Sequence, residues 1–117
     1  MPKGVLIFGT RPALGRDREF NEWYDATHVR QMCEIPGIVS GRRYARCDTQ
    51  MMPPGPAGHE YIAICEFETD DVQALVDELG ARVANGTIEL SDAVQLDPLP
   101  MVTVFEETKP PAQGACR

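Results

Sequence analysis

Three short runs in this sequence are apolar at nearly every position: Val5-Leu6-Ile7-Phe8, Tyr61-Ile62-Ala63-Ile64-Cys65 and Met101-Val102-Thr103-Val104-Phe105. Their β-branched and aromatic content predicts strands. Side chains alternate between the two faces of a strand, so runs of this kind predict a sheet whose faces are both apolar. Any fold for the chain must therefore cover the sheet twice.

Prolines and glycines divide the rest of the chain. The first strand spans Lys3 to Thr10, and a loop with Pro12 and Gly15 leads to Asp17, the expected N-cap of a helix running to about Ile35. Pro36-Gly37 stops that helix, because proline removes a ladder donor and glycine accepts the positive φ of a helix exit. A second strand follows over Ile38 to Cys47. Thr49 to Gly58, with three prolines and two glycines, is a loop, and His59 to Glu68 is the third strand. Thr69-Asp70-Asp71 caps a second helix carrying Val72, Leu75, Val76, Leu79 and Val83 at helical spacing, which ends at Asn85-Gly86. Ile88 to Leu99 is irregular, with room for a helical turn, and Met101 to Phe105 is the fourth strand. Residues 1–108 form one domain, and a disordered tail is expected over 109–117.

The order β-α-β-β-α-β is the ferredoxin-like split βαβ, an α+β fold with a four-stranded antiparallel sheet and two helices on one face. Two helices cover one face only. The simplest cover for the other is a second copy of the sheet packed about 10 Å away, so the pattern predicts a homodimer through the open face.

Composition removes several classes of function. The net charge is −7 over 117 residues, which argues against a nucleic-acid partner. The charge is uneven: residues 1–46 hold eight Lys/Arg and five Asp/Glu, residues 47–117 three and thirteen, so an anionic ligand would favour the first part. No apolar run reaches the ~20 residues of a membrane span, and the start lacks a signal-peptide core; membrane partners are not expected and the expected location is cytoplasmic. Cys33, Cys47, Cys65 and Cys116 form no CxxC pair, and the two histidines, His28 and His59, complete no metal-ligand set. No nucleotide motif is present, so neither metal nor cofactor is expected.

The first helix is unusual. On a helical wheel Phe20, Tyr24, His28, Gln31 and Ile35 share one sector, flanked by Trp23, Thr27 and Met32, where an aliphatic stripe would serve packing alone. Buried polar groups without partners are costly, so this face implies a satisfied network or a cavity. His28 follows Tyr24 by one helical turn and is a candidate general base, since histidine titrates near neutrality. The same spacing also suits a core histidine bonded to a backbone carbonyl. On the second strand, alternation sends Arg42, Tyr44 and Arg46 to one face and Arg43, with Val39, to the other; an arginine entering the cavity would stabilise a carboxylate or a developing enolate. Met51 and Met52 are candidates for a lid.

Glu19-Phe20-Asn21-Glu22-Trp23-Tyr24-Asp25-Ala26-Thr27-His28, followed by Ile35-Pro36-Gly37-Ile38 and Arg43-Tyr44, resembles the F-x-x-W-Y-x-x-x-H, P-G-[FI], R-Y pattern of dimeric α+β barrel proteins. The most similar branch is EthD-like, with small polyketide cyclases more distant; where many relatives carry proline two residues after the histidine, this chain has Arg30. The resemblance implies a pocket between sheet and helices, with His28 and Tyr24 as catalytic candidates. Trp23, Thr27, Arg43, Tyr44 and Tyr61 are the substrate-binding candidates. The superfamily's fold does not select a reaction; with His28 and the tyrosines as the evident acid-base groups and no metal or nucleotide motif, the expectation is a cofactor-independent isomerase, cyclase or lyase acting on a small enolisable carbonyl compound, aromatic or polyketide-like. A cofactor-free or haem-dependent monooxygenase and a non-catalytic auxiliary dimer that binds a small molecule are the alternatives.

Overall fold

The computed structural model describes residues 2–52, 59–96 and 100–108. The tail expected over 109–117 and most of the proline-rich loop lie outside these residues. The elements are β1 (Lys3–Thr10), α1 (Asp17–Trp23), a π-helical turn (Tyr24–His28), α2 (Val29–Cys33), β2 (Ile38–Ala45), β3 (Tyr61–Glu68), α3 (Val72–Ala84) and β4 (Met101–Glu106). The strands form one sheet in the order β2-β3-β1-β4, with every neighbouring pair antiparallel. This is the expected ferredoxin-like α+β fold.

Alternation on the central strands builds the core. Leu6 and Phe8 of β1 and Ala63, Cys65 and Phe67 of β3 face the helices, where Phe20, Tyr24, Met32, Ile35 and Leu75 pack on them. The opposite side carries Val5, Ile7, Ile62, Ile64 and Phe105, with no element of the chain over them among the described residues.

Four local expectations need correction. Asp17 is not the N-cap of the first helix: Arg16 holds that position and makes no side-chain cap, while Asp17 and Glu19 lie in the first turn, where carboxylates suit the helix dipole. Arg16 instead bonds both carboxylate oxygens of Glu19, at 2.9 and 2.7 Å, and Asp92 at 2.7 Å. The expected continuous helix to Ile35 is interrupted by the π turn, in which the Val29 N–H reaches back five residues to the Tyr24 carbonyl. Strands β2 and β3 are shorter than expected, ending at Ala45 and starting at Tyr61. Finally, a bulge between Ile38 and Ser40 parts Val39 from Arg43: Val39 lines a hollow with Val5, Glu66 and Phe105, while Arg43 faces the helices.

Elsewhere local chemistry acts as expected. Asp71 caps α3 by accepting from the Ala74 N–H at 3.0 Å. Gly37, at φ 99°, turns the chain from α2 into β2, and its carbonyl accepts from the Glu68 N–H at 2.8 Å. Residues 88–96 are irregular but anchored, by fully buried Ile88 and Ala93, by a bridge between Val94 and Pro12, and by the Gln95 N–H on the Arg11 carbonyl. Among the described residues no helix is long and apolar enough to cross a membrane.

Candidate functional site

The end of β1, the π turn, α3 and the 88–96 segment enclose a cavity of about 400 Å³. Its floor is Phe8 and Thr10, with Met101 and Val102 from β4; its walls are Trp23, Tyr24, His28 and Met32 on one side and Leu79, Val83, Leu90 and Val94 on the other. Among the described residues the lining has no Lys, Arg, Asp or Glu.

The π turn positions the aromatic wall. A π turn holds one residue more than an α turn, and here it carries Tyr24 and His28, both buried. The Trp23 indole stacks on the His28 ring at 4.6 Å and 28°, and the Tyr24 ring meets it edge-on at 4.8 Å and 88°. His28 is thus clamped on two sides. Burial, the largest cause, pushes its pKa down to about 4; a hydrogen bond to the Glu89 main chain opposes this, and the Arg43 charge adds to the lowering. Nδ1 itself is buried and has no hydrogen-bond partner. Burial also raises the Tyr24 phenol, which stays protonated at any physiological pH.

The other sequence candidates fall in different places. Trp23 and Tyr24 line the cavity with His28, whereas Thr27 lies half-buried outside its lining. Arg43 does not enter it. Its guanidinium stacks on the far side of Tyr24, 4.3 Å from the ring centroid, and bonds Asp25 at 2.8 Å and Asn21 at 2.9 Å. Tyr61 lies behind the same wall, packed on Phe20 and accepting from Asn21 at 3.3 Å. Tyr44 is exposed on the opposite face of the sheet, next to Ile62 and His59. Met51 and Met52 are exposed and line no part of the cavity.

Sequence reasoning missed Thr10, which ends β1 on the helix-facing register of Leu6 and Phe8 and is only 8% exposed. A polar residue in an otherwise apolar period-two register was the available signal. The apolar wall from α3 and 88–96 left none, since those residues read as ordinary core.

Among the described residues no group of three His, Cys, Asp or Glu is arranged to hold a metal ion. Haem also fits poorly. Among the described residues the one lining imidazole is stacked against an indole, and no lining cation could pair with propionate groups.

Fold and site together define a ferredoxin-like α+β protein with a buried histidine on the helix-side cavity wall. Solved structures share the fold. An EthD-family protein from Bacillus halodurans C-125 matches with a TM-score of 0.59 at 17% identity, covering 92% of this chain and all of that one. A dimeric ferredoxin-like protein from Jannaschia sp. CCS1 matches with a TM-score of 0.59 at 14% identity, over 90% of this chain and 99% of the other. A candidate monooxygenase from Shewanella loihica PV-4 matches with a TM-score of 0.59 at 15% identity, over 94% and 99%. What these structures share with the chain is the ferredoxin-like fold. No family model and no curated protein matches the chain.

Proposed function

We propose that the chain is an isomerase-, cyclase- or lyase-type enzyme that moves a proton on a small enolisable carbonyl compound, aromatic or polyketide-like, bound in this cavity. One observation carries the reading: His28 Nδ1 is buried and unpartnered, on a residue that lines an apolar cavity. A neutral imidazole accepts a proton through such a lone pair. With a pKa near 4 the ring is uncharged at pH 7, so its basic form is fully present.

Burial weakens the resting base but strengthens the attraction between the charges that proton transfer creates. When an α C–H gives its proton to Nδ1, imidazolium and enolate form together in a medium of low dielectric, where opposite charges attract strongly. Trp23 and Tyr24 keep the ring from turning away. Return of the proton to a neighbouring carbon gives isomerisation; attack of the enolate carbon on a second carbonyl gives ring closure; loss of a β-substituent gives elimination.

The test is deuterium incorporation at the α-carbon of acetophenone and of β-diketones in heavy water, measured by NMR. Wild type is expected to exceed His28→Gln by about 100-fold. The rate should be flat from pH 8 to 5 and fall as pH drops through about 4. Equal rates for the two proteins would remove the catalytic reading. The lowered basicity of His28 favours a second reading, a non-catalytic carrier of the same ligands, which predicts binding with no exchange. Likeness to the Shewanella protein is the support for a cofactor-free monooxygenase, and oxygen uptake with the same compounds separates it.

The assembly that goes with this reading is a homodimer through the open sheet face. Uncovered Val5, Ile7, Ile62, Ile64 and Phe105 support it, as does the dimeric state of the Jannaschia protein.

A further inference from the structure

The cavity is apolar in bulk, yet three polar atoms on its lining residues are buried without a partner: Thr10 Oγ1, Trp23 Nε1 and His28 Nδ1. Native structures keep few such atoms, and each needs a physical reason. Three on residues lining one cavity mark where a bound molecule completes the hydrogen bonding. Their chemistry is specific. The indole N–H can only donate, the threonine hydroxyl can donate or accept, and Nδ1 of a neutral imidazole protonated at Nε2 accepts. Two donors and one acceptor complement a carbonyl oxygen next to an acidic C–H.

The charge environment narrows the ligand further. Among the described residues the lining has no charged side chain, and Arg43 is held against Tyr24 by Asp25 and Asn21. The Arg43 charge is felt at His28, but its guanidinium is not among the described lining residues. A carboxylate entering it would lose its water and find no counter-charge.

We propose that the cavity selects an uncharged molecule with a carbonyl oxygen on an apolar body, that Thr10 and Trp23 are the specificity-determining pair hydrogen-bonded to that oxygen, and that the matching carboxylate is rejected. This rests on the cavity being the ligand site. Three probes of similar shape separate its parts: acetophenone, ethylbenzene and benzoate. Trp23 is the single tryptophan of the chain, so its indole N–H gives one resonance that reports directly on the donor.

In NMR titrations at pH 7, acetophenone is expected to move that resonance downfield, ethylbenzene to bind without a downfield shift, and benzoate to bind at least about tenfold more weakly than acetophenone. Thr10→Val keeps the shape and strand propensity of the site; it should weaken acetophenone about fivefold while leaving ethylbenzene unchanged, and Thr10→Ser should restore the ketone. The proposal is overturned if benzoate binds as tightly as acetophenone. It is also overturned if Thr10→Val affects ketone and hydrocarbon alike, or if no probe binds. Selective binding without isotope exchange would sink the catalytic reading and leave this one standing; exchange without selectivity would do the reverse.

Discussion

His28 is 7% exposed and stays neutral in the folded chain, which ties stability to pH. Its pKa is about 4 when folded against 6.5 for the free side chain, so between those values the unfolded state binds more protons. Stability from this group is therefore complete above about pH 6.5 and lost as pH falls toward 4, a change on the order of 3 kcal/mol. Thermal melting from pH 7 to 4 should show a fall in wild type that is clearly smaller in His28→Gln; parallel profiles would mean that the ring is not held neutral. The sequence pointed to this residue because an aromatic and polar helix face is costly to bury without a use. It parted Arg43 from Arg42 and Tyr44 correctly but misplaced Val39, since strand alternation fails across a bulge that leaves no mark in composition. Thr10 escaped notice because its meaning depends on what lies over the strand end.

Among the elements, the π turn was least legible. Helical periodicity placed Tyr24 and His28 on one side, and they are on one side, but a wheel drawn at α-helical spacing has no means of registering the extra residue. The stop at Pro36-Gly37 was plain, because it rests on backbone chemistry that acts locally. That turn also offers a test. At φ 99° an L side chain is strained, and a Cβ on Gly37 would stand 2.9 Å from Leu75 Cδ1. Gly37→Ala should cost about 1–3 kcal/mol, seen as a lower urea midpoint at unchanged m value. An unchanged midpoint would show that this link relaxes freely. Asp71 and the four strands were legible for the same reason, while strand ends at Ala45 and Tyr61 depended on where pairing stops.

For the molecule as a whole, the sheet has one face too many. Ile7 and Ile64 are cross-strand partners on its uncovered side, so a charge there tests the assembly directly. Wild type should sediment as a dimer at micromolar concentration, and Ile64→Glu as a folded monomer with an unaltered circular dichroism spectrum. A monomeric wild type would leave that face without its expected cover. The two-sided apolar strands already announced this need in the sequence, because they are a property of every residue in the run. The cavity was less visible, since it is assembled from β1, the π turn, α3 and residues 88–96. That assembly has a consequence for how the protein can change over time. The polar atoms come from β1, the last residue of α1 and the π turn, whereas Leu79, Val83, Leu90 and Val94 contribute only shape. Substitutions in that second group can alter which molecules fit while the polar atoms stay where they are, so the shape of the cavity can drift independently of its hydrogen-bonding groups.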